Sequence, residues 1–272
     1  MTSAQKVIKY LAIAFAIFLI ITIISAILNA FYALSGVLGL RKDNEISSGE
    51  ISTTNFEDID IATLDIDVTY TNLTIKSGDF FKAETNNSDI SFSQNNQDLQ
   101  IKEKSHKWFS KNENQQLVLY MPKNLELEKV KINAGAGEIN IENLTTKKLS
   151  FELGAGKTEI RSLNVRKECE IEGGAGKISI TSGTINDLKL DMGLGEVNLN
   201  AILTGESEIN AGVGNLNVKL QNGKESYKIK TDKGLGTIKI DGKEISDSEV
   251  YGDGENSIKL EGGIGNIKID FK

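Results

Sequence analysis

Gly154-Ala155-Gly156-Lys157-Thr158 has the look of the end of a phosphate-binding loop. In such loops backbone amides cradle the phosphate and the lysine neutralises it, but the signature needs a glycine five residues before Gly156, and Phe151 stands there. A strand is predicted to follow, whereas phosphate sites use a helix N-terminus. The same triplet recurs with Glu, Lys, Asn or Thr in the lysine position, so nucleotide binding is not expected. Glycine is wanted instead for positive φ or for close approach of one coil to the next. The calcium-binding nonapeptide of other solenoids fails too, because its aspartate after the second glycine is missing.

Glu152, Glu172 and Asp191 each stand two residues before a triplet, which predicts an acidic ladder on one outer face. Lys157 and Lys177 occupy the position just after it, with Glu138 and Glu196 above and below. Asp191 with Glu196 has the oxygen chemistry to attract a divalent cation or a basic partner. The competing reading is a solvated face whose alternating charges block non-specific strand pairing. Cys169 shares a stack position with Leu149 and Leu188 and reads as a small buried hydrophobe. His106, Trp108 and Phe109 cluster in a Lys-rich, non-repeating stretch, where Trp108 and Phe109 could anchor a partner or touch lipid. Equally, Trp108 could fold back over the N-terminal end of the array. One Cys and one His allow no disulfide, no zinc set and little imidazole chemistry. No catalytic residue, metal or cofactor is expected, and a net charge of −7 with a pI near 5.0 argues against nucleic acid.

The elements that position these side chains announce themselves as an internal repeat. Its centres are Gly135-Ala136-Gly137, Gly154-Ala155-Gly156, Gly174-Ala175-Gly176, Gly193-Leu194-Gly195, Gly212-Val213-Gly214, Gly234-Leu235-Gly236 and Gly263-Ile264-Gly265, separated by steps of 19, 20, 19, 19, 22 and 29 residues. Two and four residues after each triplet fall aliphatic positions from Ile139/Ile141 to Ile267/Ile269, with Thr158 the one polar exception. A second alternating strand precedes the triplet, as in Val130/Ile132, Leu149/Phe151 and Leu188/Leu190. Each unit therefore reads as strand, glycine bend, strand, turn. One unit cannot bury its apolar face alone, so units must stack at the strand spacing of about 4.8 Å. The fold class predicted is all-β, a parallel β-solenoid of coils of about 19–20 residues. Thr69-Tyr70-Thr71, between Leu64/Ile66/Val68 and Leu73/Ile75, marks an atypical first coil. Residues 59–128 are expected to form irregular coils, with strands near 90–92, 99–101 and 117–120, and residues 129–272 the regular ones. Residues 242–256 read as a polar loop projecting from the last coils.

Ahead of the array, Tyr10 to Leu40 holds no charged residue, and the run from Leu11 to Leu28 is long enough to span a bilayer as a helix. Residues 1–40 are expected to be a single-pass anchor with the helix over about 8–30, and 41–58 a polar tether. A cleaved signal peptide competes, but its apolar region is usually shorter. Lys6 and Lys9 before the helix balance Arg41 and Lys42 after it, and the short N-terminal tail tips the expectation to an outside location for the array.

The stretch LVLYMPKNLELEKVKINAGAGEINIENL and the succession of GxG coils resemble the bacterial putative-adhesin family of β-strand repeats, over about Asp60 to Lys272. The resemblance implies a membrane-attached or envelope-linked protein and supplies no catalytic residues. The leading expectation is a membrane-tethered, non-enzymatic β-solenoid at the cell envelope, serving binding, adhesion or an envelope-stress response. Its partners would be the lipid bilayer through the N-terminal helix and an envelope protein or glycan. The alternative is a bactofilin-like scaffold on the cytoplasmic face, self-associating through an uncapped C-terminal coil unless Lys268, Asp270 and Lys272 act as gatekeepers. A polysaccharide-active enzyme is the third class, with only Asp191 and Glu196 to support it.

Overall fold

The structure, a computed structural model, describes residues 50–56, 60–104, 114–246 and 249–272. The expected membrane helix, most of the expected tether and the cluster of His106, Trp108 and Phe109 lie outside the described residues. Among the described residues no helix is long and apolar enough to cross a membrane, and the helical content is one 3₁₀ turn at Lys224–Ser226.

The domain is all-β. Its first strands are β1 (Ser52–Phe56), β2 (Thr63–Val68), β3 (Asn72–Gly78), β4 (Phe81–Thr85), β5 (Ile90–Asn95), β6 (Asp98–Glu103) and β7 (Gln116–Pro122). β8 (Leu127–Ile180) stays extended for 54 residues because its backbone winds from coil to coil through the glycine bends without leaving the ladder. There follow β9 (Gly183–Asn186), β10 (Leu188–Thr204), β11 (Glu206–Leu220), β12 (Tyr227–Asp232), β13 (Leu235–Ile240), β14 (Lys243–Glu244), β15 (Val250–Tyr251) and β16 (Asn256–Phe271).

Parallel, in-register pairing makes this a β-solenoid-like stack of rungs. Alternation along each strand sends every second side chain inwards, and pairing superimposes like on like. One inner row shows it: Ile66 pairs with Ile101 and Ile132, Leu190 with Ile171 and Ile209, and Leu260 with Ile209 and Thr231. All of these side chains are buried. Each such aliphatic contributes about 1.5–3 kcal/mol by leaving water, which only a stacked neighbour makes possible. Three successive coils also hold a third short strand where a turn was expected. β9 pairs with Leu163–Val165 of β8 and with Ile202–Thr204 of β10, and Leu163, Val165, Ile185 and Leu203 are buried.

The order of the rungs in space is not their order in the chain. β16 lies between β11 on one side and β12 and β13 on the other, all parallel. The C-terminal coil is thus an inner rung, and the expectation that it offers an uncapped end is corrected. The first end is arranged alike, with β2 between β6 and β8, and β3 between β7 and β8. The outermost rungs are closed by short antiparallel strands: β5 on β6, β4 on β7 and β1 on β4 at one end, β14 on β13 and β15 on β12 at the other.

Two further expectations change with these caps. The last part of the polar tether is the capping strand β1, with Phe56 buried. The described residues of 242–256 fold back on the domain: Ile245 is buried and Tyr251 stacks on Phe271 with ring centroids 5.8 Å apart. The reversal comes from Asp241 and Gly242, whose φ values of 51° and 76° suit the two-residue turn that right-twisted hairpins favour.

Candidate functional site

Every regular rung turns at its glycine triplet, and the triplets stack into a ladder. A Cβ built on Gly154 would stand 2.1 Å from the carbonyl oxygen of Gly135, and one on Gly156 would stand 2.0 Å from that of Gly137. Equivalent contacts tie Gly174 and Gly176, Gly193 and Gly195, Gly212 and Gly214, Gly263 and Gly265, and Gly234 and Gly236 to the next rung. Six of the seven second glycines also hold φ between 135° and 149°, where a side chain is strained. The Thr69-Tyr70-Thr71 bend, lacking glycines, is held by a carboxylate instead. Glu103 Oε2 accepts the backbone N–H of Thr69 at 2.6 Å and of Tyr70 at 3.0 Å, while Asn72 Oδ1 accepts that of Glu138 at 2.8 Å.

Because the flanking glycines carry no side chain, the middle residue of each triplet stands outward alone. In register, Leu194 pairs with Ala175 and Val213, and Ile264 with Val213 and Leu235. The result is an apolar ridge, shallow at Ala136, Ala155 and Ala175 and tall from Leu194 to Leu235. Leu194 is 41% exposed and Leu235 48%, a large aliphatic row left in water.

Beside the ridge runs a groove. One cleft of ≈ 530 Å³ is lined by Glu172, Asp191, Asn210 and Glu261, floored by Gly173, Met192, Ala211 and Gly262, and bounded towards the ridge by Gly193, Gly212 and Gly263. A second, of ≈ 520 Å³, shares Glu172 and Gly173 with it and continues to Glu152, Asn133 and Asp67. The expected acidic ladder of Glu152, Glu172 and Asp191 is therefore one wall of a longer groove. Asn133 Oδ1 and Asn210 Oδ1 in that wall are buried and accept no hydrogen bond.

The carboxylates are partly answered by lysines that do not line the clefts. Lys131 reaches Glu152 at 3.0 Å, Lys189 reaches Asp191 at 3.7 Å and Lys259 reaches Glu261 at 2.5 Å. The hydrogen bond that Lys131 donates to Glu152 pushes its ammonium up, and those that Lys259 donates to Glu208 and Glu261 do the same for Lys259. These pairs lie in water and contribute little to stability.

Asp191 and Glu196 flank the same triplet but meet different partners. Asp191 faces the groove and accepts a hydrogen bond from Asn210 Nδ2 at 2.5 Å, whereas Glu196 bonds Asn198 Nδ2 at 2.5 Å and Lys177 at 3.1 Å. Hydrogen bonds from Asn198 and then Lys177 hold the Glu196 carboxyl below its usual range. Among the described residues no three His, Cys, Asp or Glu side chains are placed to hold a metal ion. Cys169 is fully buried against Leu188, and burial pushes its thiol well above the usual range, so the nucleophilic thiolate does not form near neutrality. Reading the triplets as bends alone missed the ridge. Its signal was the change of the middle residue from Ala to Leu, Val or Ile at Leu194 and beyond.

Residues 56–261 match the family model described as Toastrack DUF4097. No curated protein matches the chain. The fold is similar to crystal structures of a "putative cell adhesion protein" from Clostridium sporogenes (17% identity, 82% of this chain and 98% of that one, TM-score 0.34) and of a "putative adhesin" from Bacteroides fragilis (12%, 82% and 98%, 0.43). A third, from Parabacteroides distasonis, is described as a "putative lipid binding protein" (14%, 81% and 97%, 0.39).

Proposed function

The chain belongs to the Toastrack DUF4097 family, and on that footing we propose that it is a membrane-tethered, non-enzymatic binding module of the bacterial cell envelope, its β domain outside the cell. The observation that carries this reading is the triplet corner, a rigid ridge and groove repeated from rung to rung. Such a surface suits an extended partner held by many weak contacts, and not the convergence of a nucleophile, a base and an oxyanion site on one atom. The one thiol is sealed in the core, and several of the groove carboxylates are engaged with lysines. Tethering is supported by the uncharged run from Tyr10 to Leu40. A polymerising scaffold is disfavoured, because the last coil is already paired on both sides.

Topology tests the proposal. Ser48→Cys in a Cys169→Ala background supplies a single thiol in the expected tether; alanine is chosen because serine would bury a hydroxyl. Labelling of intact cells by a membrane-impermeant maleimide is expected. Protection until lysis would put the domain in the cytoplasm and refute the proposal.

A further inference from the structure

The partner's chemistry is written in the two sides of the groove. Its outer bank is the aliphatic row of Leu194, Val213, Ile264 and Leu235, which sit on adjacent rungs. With rungs about 4.8 Å apart the row runs about 14 Å. Its ends, Leu194 and Leu235, are exposed and Val213 and Ile264 between them half-buried, and a contiguous aliphatic row of that length at the surface is uncommon where there is no partner. Its inner bank presents Glu172, Asp191 and Glu261; Lys189 and Lys259 meet the last two from outside the cleft, and no lysine lines it. In the same wall Asn210 Oδ1 is buried without a donor, and a buried acceptor left unpaired is unfavourable until a donor reaches it.

We infer that this groove binds an extended cationic-apolar peptide segment of another protein, its aliphatic side chains on the Leu194–Leu235 ridge and its Lys or Arg side chains along the Glu172–Asp191–Glu261 wall. The inference rests on the binding-module reading and adds the partner's class. An extended chain alternates its side chains to opposite sides at about 3.3 Å per residue, which is what one apolar and one anionic bank require. The whole groove, from the Asp67 rung to the Glu261 rung, covers seven rungs, about 29 Å, or about nine residues of strand. Charge complementarity also separates the candidates. An anionic bilayer surface would bring phosphates against three carboxylates, and a second copy laid with its groove facing this one about an axis across the stack would bring carboxylate against carboxylate.

The test is fluorescence anisotropy with the purified full chain in detergent and a labelled peptide of alternating Lys and Leu about nine residues long. Companion peptides replace Lys with Glu or Leu with Ser. Binding of the Lys-Leu peptide alone is expected, weakening by about tenfold in the Asp191→Asn/Glu261→Gln double variant, since each rim pair is worth up to about 1 kcal/mol. The Leu194→Ser variant is expected to weaken it comparably. All three positions are surface sites, and unchanged thermal midpoints establish that the variants fold. The inference is overturned if the Lys-Leu peptide does not bind, or binds equally to the variants. It is also overturned if light scattering shows that Leu194→Ser dissociates a dimer, or if vesicles of phosphatidylglycerol, and not the peptide, are lost on Leu194→Ser. Topology plays no part in this assay, so its failure leaves the outcome of maleimide labelling untouched.

Discussion

Gly156 and Gly137 separate the two reasons for which the ladder needs glycine. Their φ values are similar, 147° and 135°. Gly156, however, would place a Cβ 2.0 Å from the backbone oxygen of Gly137, whereas Gly137 would place its own 3.0 Å from the side-chain oxygen of Asn72, which relieves the contact by shifting a few tenths of an ångström while still accepting the Glu138 N–H. Gly137→Ala is therefore expected to cost the backbone strain alone, about 2 kcal/mol. Gly156→Ala adds an overpacked contact between two backbones fixed by ladders on either side, about 2 kcal/mol more. At about 3 °C per kcal/mol for a domain of this size, the thermal midpoint should fall by about 6 °C for Gly137→Ala and about 12 °C for Gly156→Ala. Gly242→Ala, with φ of 76° and no atom within 4 Å of the added Cβ, should cost about 1–2 kcal/mol, since it is strained but unobstructed. Circular dichroism melts of the full chain at one scan rate give the comparison. Equal losses at Gly156 and Gly137 would refute the claim that rung contact, beyond φ, selects glycine.

Removing the C-terminal cap should expose an edge: Ile245→Ala is expected to cost about 2–5 kcal/mol, and light scattering should then show association through the outer side of β12 and β13; a monodisperse variant would contradict the capping role. Glu103→Gln places an amide N–H against a donor at either Thr69 or Asn87, so about 1–3 kcal/mol should be lost and hydrogen exchange at the Thr69 and Tyr70 amides should accelerate. Burial raises the Cys169 thiol above its unfolded value, so the unfolded chain ionises first as pH rises. Stability owed to the neutral thiol is complete below about pH 8.5 and falls above it by up to about 1.4 kcal/mol per pH unit. Urea midpoints at pH 7 and 10 should therefore drop further for the wild type than for Cys169→Ala, and equal drops would sink this assignment.

Rung content was legible in the sequence and rung order was not. The alternation around Leu64, Ile66 and Val68, or Val197 and Leu199, needs only a period of two, and the residues it named inward are buried. The strands expected near 90–92, 99–101 and 117–120 are β5, β6 and β7. Stacking is different, because every GxG coil presents the same backbone to its neighbours and the code does not say which coil sits on which. The steps of 22 and 29 residues read as insertions, yet they record β12 and β13 going outward and β16 returning between them and β11. Buried polar positions are no guide to an end rung, since Thr158 and Ser207 lie in inner ones. Thr231 takes an inner place in the outermost coil because its hydroxyl can donate to the carbonyl of Glu249 at 3.2 Å in the cap. The third strand was missed because Leu163 and Val165 make a run too short to stand out from a turn. In the site, the acidic row was visible as Glu152, Glu172 and Asp191, but its extension through Glu261 and its neighbouring ridge depend on the non-local pairing of rungs 51 residues apart in the chain.

The claim that the triplet corner is where the chain engages another molecule is tested most directly inside cells, by placing a photo-crosslinking amino acid at single exposed positions. At Leu194 and Leu235 the account predicts discrete adducts. At Lys167, exposed where the third strand passes into the next rung, it predicts none. Adducts at Lys167 with none at Leu194 or Leu235 would contradict it.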